Sequence, residues 1–131
     1  MPTIEDKGRG ALVQVKVNGT NIHGVLLSIF QKVDGKTRVA VESIIYPGFV
    51  FVSTLENLTD MCGKVDLLKD DYLKTWEGQK VKKRKGYPYP GICLSSFVLR
   101  DGSPMLAVEC TLLPGQVQVF GPGQLEFDNG E

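Results

Sequence analysis

The sequence predicts a mainly β fold made from one unit used twice. Three observations carry this. A shift of 67 residues aligns residues 24–58 with residues 91–125 without a gap, and 14 of the 35 positions are identical. In each copy an Asp-Gly pair, Asp34-Gly35 or Asp101-Gly102, separates two runs rich in apolar and β-branched residues. Such a pair is the strongest short signal for a hairpin. Finally, 131 residues with 42% apolar and 23% charged side chains make one ordinary domain, or two very small ones, with enough core to fold.

The elements follow in order. Candidate first strands cover residues 12–17 and 79–84, each followed by a glycine, Gly19 or Gly86. The hairpins come next. A two-residue Asp-Gly turn sets Phe30 opposite Val39 and Ser28 opposite Val41. In the second copy it sets Phe97 opposite Leu106, Ser95 opposite Val108 and Cys93 opposite Cys110. Pro47-Gly48 and Pro114-Gly115 mark the next turns. Third strands over 49–53 and 116–120 follow, then a tight segment ending on Leu58 or Leu125.

Between the copies the texture changes. Leu55, Leu58 and Met61 recur at threes, and Val65, Leu67, Leu68, Tyr72, Leu73 and Trp76 keep roughly helical spacing, interrupted by Gly63. The predicted organisation is therefore a flexible end over 1–10, a first repeat over 11–58 and a helical linker over 59–76. A second repeat over 77–127 and a flexible end over 128–131 complete it.

This order of strand, loop, hairpin, turn, strand, tight turn and Leu resembles small five-stranded SH3-like barrels. The stretch around Gly91-Ile92, Phe97, Arg100-Asp101-Gly102, Val108-Glu109, Gly115, Phe120 and Gln124-Leu125 also resembles small uncharacterised bacterial and phage-type proteins. The resemblance implies two SH3-like repeats and a binding role, and it transfers no catalytic residue. Two geometries fit: two barrels in tandem, or the repeats pairing into one pseudo-two-fold barrel or sandwich. The opposite hairpin faces (Val25, Leu27, Ile29 and Ile44, with Ile92, Leu94 and Leu112) are apolar and need a cover, which the sister repeat or the linker can supply.

Charge and motifs exclude several functions. Lys+Arg and Asp+Glu balance at 15 each, so no global field draws nucleic acid or membrane. No apolar run approaches the ~20 residues of a membrane span, and the N-terminus lacks the shape of a signal peptide. Three cysteines (Cys62, Cys93, Cys110), an odd number, fit a reducing, cytoplasmic setting. Four-ligand zinc would need all three with His23, at spacings that match no zinc finger. No nucleophile elbow, P-loop, zincin or dinucleotide motif is present. The expectation is no catalytic residue, metal or cofactor.

Binding is left. Lys80, Lys82, Lys83, Arg84 and Lys85 hold a third of the positive charge within six residues, and Tyr87 and Tyr89 follow. Cations neutralise phosphates and aromatic rings stack on unpaired bases. The plainer alternative is a solvated edge strand whose lysines discourage aggregation. The first copy has only Lys16 in the matching strand. The Tyr-Pro-Tyr-Pro-Gly stretch is stiff enough for a binding loop or for simple packing. Glu42 and Glu109 are equivalent and read as surface residues, or as hydrogen-bonding partners within each repeat. The expected function is a non-enzymatic interaction protein with a protein partner, in the setting of a phage or mobile element acting on a host factor. The alternative is nucleic-acid binding through 80–85 with Tyr87 and Tyr89. A dimer is compatible with the sequence and nothing requires it.

Overall fold

The chain was studied as a computed structural model that describes residue 4, residues 8–69 and residues 71–128. The ends expected to be flexible fall largely on residues 1–3, 5–7 and 129–131, outside the described residues.

The first sheet contains β1 (Ala11–Val17), β2 (Thr20–Gln31), β3 (Thr37–Ser43), β4 (Val50–Ser53) and β5 (Leu58–Lys64). The second contains β6 (Lys80–Lys83), β7 (Pro90–Val98), β8 (Pro104–Cys110), β9 (Val117–Phe120) and β10 (Leu125–Phe127). Their orders, β4-β3-β2-β1-β5 and β10-β6-β7-β8-β9, are the same once the 67-residue shift is applied. All ladders are antiparallel. Among the described residues no ladder closes either sheet into a barrel. A 3-10 turn precedes each last strand, Leu55–Asn57 in one copy and Pro122–Gln124 in the other.

The hairpins reverse at the Asp-Gly pairs, but by three-residue loops. Lys32 N–H bonds the Lys36 carbonyl, and Lys36 N–H bonds Asp34 Oδ1. Gly35 and Gly102 take φ of 86° and 88°, while neither aspartate leaves negative φ. A two-residue turn of the primed type would need positive φ at both positions. The register therefore moves by one, and Phe30 faces Arg38 and Phe97 faces Met105. A bulge at Leu27 and at Leu94 moves it again. Cys93 then faces Val108, and Cys110 faces Gly91, so the expected cross-strand cysteine pair is not formed.

The linker also differs from expectation. Residues 58–64 are strand β5, paired with β1, and the remaining helical turn is a 3-10 segment, Asp71–Trp76. Leu58 is buried because it closes the sheet against Val15, whereas Met61 is exposed. Spacing by threes there reflects a 3-10 turn running into a strand. Cys62 at φ 59° and Gly63 against Leu12 fit no helix.

Three cores result. Val13, Val15, Leu26, Val39, Val41 and Leu58 pack together on one face of the first sheet. Val81, Tyr89, Cys93, Leu106, Val108, Phe120 and Leu125 fill the second, with Trp76 against them. The third lies between the copies: Val25, Leu27, Phe30 and Ala40 meet Phe97, Leu99 and Ala107. Successive strand residues point to opposite faces, so Leu26 enters its own core and Leu27 the shared one. The sister copy is thus the cover that the second apolar face required. Ile29, Ile44 and Leu112 stay exposed outside it.

Candidate interaction surfaces

The duplicated glutamates are not surface residues. Glu42 and Glu109 are 2% and 6% exposed. Glu42 Oε2 accepts from Gly48 N–H in its own copy (2.8 Å), and Oε1 accepts from Arg100 N–H in the other (2.9 Å). Glu109 repeats this with Gly115 N–H (3.1 Å) and Val33 N–H (2.9 Å). Each carboxylate fastens a Pro-Gly turn to the sister hairpin. Ser28 and Ser95 hydroxyls meet at 2.5 Å where the copies touch. Reciprocal contacts of this kind characterise a two-fold interface. Gly24 and Gly91 are equivalent close approaches, since a Cβ would lie 2.8 Å from the Glu42 carbonyl oxygen or 2.3 Å from that of Glu109. The glutamates and serines join the copies, the two glycines let β2 and β7 approach β3 and β8 of their own copies, and Ser28 and Ser95 also line a cleft of about 590 Å³. Among the described residues no three His, Cys, Asp or Glu side chains converge to hold a metal.

The basic segment is not an edge strand, because β6 lies between β10 and β7. Lys80, Arg84, Lys85 and Tyr87 are exposed, Lys82 and Lys83 half-buried, and Tyr89 buried. The seven residues thus divide. Lys82 faces Glu126 at 3.9 Å. Lys83 Nζ sits 3.7 Å above the Tyr87 ring. Arg84 donates its Nε–H to the Leu125 carbonyl at 2.9 Å. Tyr87 donates its hydroxyl to Gln118 Oε1 at 3.0 Å. Tyr89 belongs to the core: its hydroxyl reaches the Gln116 carbonyl at 3.1 Å, its ring packs edge-on against Phe120, and burial pushes its pKa up to about 12.

A second surface was missed in the sequence. Ile22, His23, Ile45, Tyr46, Phe49 and Phe51 line an apolar groove of about 540 Å³ in the first copy, between the start of β2 and the β3–β4 turn. Ile45, Tyr46 and Phe49 are 73%, 69% and 55% exposed. Phe49 and Phe51 tilt together at 4.7 Å, and His23 Nε2 lies 3.3 Å from Gln14 Oε1 at the rim. In the second copy Phe49 and Phe51 become Gln116 and Gln118, and Thr20 and Ile22 become Tyr87 and Tyr89. The tyrosines there reach across to those glutamines. The available signal was the loss of polarity at two alternate positions, Phe49 just before β4 and Phe51 within it, relative to Gln116 and Gln118 of the repeat.

The cysteines serve packing in copy two. Cys93 and Cys110 are buried and Cys62 is exposed. Burial pushes the Cys93 thiol up to about 12. Among the described residues no helix is long and apolar enough to cross a membrane. No protein-family model matches this chain, and a search of curated proteins finds no match.

Proposed function

We propose that this is a non-enzymatic interaction protein built from two SH3-like units, whose first copy binds an uncharged peptide segment rich in proline and aromatic residues. Strand order and the 3-10 turn before each last strand support the SH3-like reading. One observation carries the function: the groove of copy one is open where, in copy two, Tyr87 and Tyr89 reach across to Gln118 and Gln116. The chain thus contains an internal example of the chemistry that fills such a groove. An apolar floor with a few polar rim groups suits a partner recognised by shape and burial. Contiguous exposed apolar surface of this kind marks contact sites in folded proteins.

Selection of displayed random peptides on the immobilised full chain tests this. Enrichment of proline- and aromatic-containing sequences is expected, with binding at least tenfold weaker for Phe49→Ser and Tyr46→Ser. Absence of enrichment, or peptides that bind both variants as well as the parent, overturns the reading.

A further inference from the structure

The second copy carries a feature that its fold does not require. Lys83, Arg84 and Lys85 with Gly123 and Gln124 line a cleft of about 360 Å³, with no carboxylate among the described residues of its lining. The equivalent positions of Lys83, Arg84, Lys85 and Tyr87 in the first copy are Lys16, Val17, Asn18 and Thr20. The same strand and turn form there with Lys16 alone of the three cations and without the ring. A purely structural demand for this charge would be visible in both copies.

We propose that this cleft is a binding site for single-stranded nucleic acid, with Lys83, Arg84 and Lys85 on the phosphates and Tyr87 as the stacking platform. Arg84 is held in place before any ligand arrives. Its backbone N–H bonds the Gln124 carbonyl and its Nε–H the Leu125 carbonyl, both at 2.9 Å. Among the described residues its two terminal nitrogens have no protein acceptor. A guanidinium fixed through Nε still offers a fork of donors to a phosphate. The carboxylate in reach on β10, Glu126, is placed against Lys82 instead. Tyr87 is 54% exposed and oriented by Gln118, so its ring costs little to order on binding. Tyr87 stands outside the lining of the cleft, joined to it by Lys83, whose Nζ lies 3.7 Å over one face of the ring, so a base would stack on the opposite face. A basic cleft that tracks the backbone, joined to a ring that stacks a base, is the arrangement by which unpaired strands are held. A folded duplex offers the phosphates without the free base face.

Fluorescence anisotropy of the full chain with a labelled 20-nucleotide oligothymidylate tests the proposal. Three neutralised phosphates predict affinity about 20-fold weaker at 200 mM than at 50 mM salt. Arg84→Gln with Lys85→Gln should weaken binding at least tenfold at the lower salt and flatten that dependence. Tyr87→Ala should weaken it by roughly five- to 100-fold and leave the salt dependence unchanged. The groove variant Phe49→Ser, on the other copy, should bind the oligonucleotide as the parent does. No anisotropy change at 50 mM salt overturns the proposal. So does equal affinity for a duplex, or for polyglutamate of matching charge, which would mark a general acidic-ligand surface.

Discussion

Ile22 and Tyr89 occupy the same place in the two copies, and their surroundings differ. Around Ile22 the neighbours are Phe49 and Phe51, and the surface is open and apolar. Around Tyr89 they are Gln116, Gln118 and Phe120, and the surface is closed by a buried phenol. Where the copies touch, several pairs are identical, Ser28/Ser95, Phe30/Phe97, Ala40/Ala107 and Glu42/Glu109, while Leu99 and Arg100 stand where the first copy has Lys32 and Val33. The difference follows from who satisfies whom. A residue at the seam must meet the needs of the other copy, so a change in one member strands its partner. A residue at the outer end answers only to its own sheet and to solvent. The outer ends are therefore where two surfaces of unlike chemistry, one apolar and one basic, can sit on one duplicated frame.

The largest effects should come from the seam glutamates. Removing Glu109 leaves Val33 and Gly115 N–H groups without their acceptor, and Glu109→Ala should cost about 3 kcal/mol. Glu42→Ala should cost more, about 4 to 5 kcal/mol, because Arg100 Nε also lies 3.4 Å from Glu42 Oε1. Arg100 further donates to the Ser43 carbonyl at 2.6 Å and to the Ile44 carbonyl at 3.4 Å, so the copy-two guanidinium depends on copy one at three points. Urea midpoints of the two variants measure the asymmetry. Equal losses would mean that Arg100 adds nothing and that the seam is symmetric in energy as well as in geometry.

Next in size are the close approaches. Gly91→Ala places a Cβ 2.3 Å from the Glu109 carbonyl oxygen and 2.6 Å from Val108 Cγ1. Gly24→Ala places one 2.4 Å from Val41 Cγ1 and 2.8 Å from the Glu42 carbonyl oxygen. The strand pairs must separate in both, at about 1 to 3 kcal/mol. The second copy should suffer more, because its nearest obstacle is backbone, which cannot rotate away. Thermal melts of the two variants give the ranking, and a larger loss for Gly24→Ala would reverse the argument.

Much of this frame was legible in residues, and the reasons are local. The repeat, the Asp-Gly reversals, the Pro-Gly turns and most strands follow from glycine's access to positive φ and from alternating apolar residues. The register was not legible, because a three-residue loop and a two-residue turn share the same Asp-Gly signature. The bulges at Leu27 and Leu94 leave no mark in a run that is apolar on both faces. Strand β5 was concealed because Leu55, Leu58 and Met61 mimic helical spacing across a 3-10 turn. The burial of Glu42 and Glu109 was hidden for a different reason. A carboxylate reads as solvent-facing until its donors are known, and half of those donors lie in the other copy. The basic segment was visible as charge, but its division into a core tyrosine and an exposed one depended on the fold. The apolar groove needed the copies to be compared position by position, since Phe49 and Phe51 look like ordinary strand residues alone.

The smallest expected effect concerns the thiol of the second core. Cys93 stands where the first copy has Leu26, and both are buried. Burial lifts the Cys93 thiol from an ordinary 9.0 to about 12, and the Tyr89 phenol of the same core from 10.0 to about 12. Both groups are held neutral by the fold, while in the unfolded chain they release their protons at lower pH. Their contribution to stability is therefore complete below pH 9 and declines as pH climbs from 9 to 12. Near neutral pH nothing is lost to titration, and Cys93→Leu, which enlarges a buried side chain to the residue that copy one uses, should cost about 1 kcal/mol. Above pH 9 the variant should lose stability with pH less steeply than the parent, retaining only the phenol's share of the decline. Urea midpoints of both proteins at several alkaline pH values measure the two slopes. Thiol labelling at pH 8 gives an independent reading: Cys62 should react at once and Cys93 only on unfolding. Parallel alkaline slopes, or rapid labelling of Cys93 in the folded chain, would mean that the second core is wetter than the first and that the two copies differ inside as well as at their outer ends.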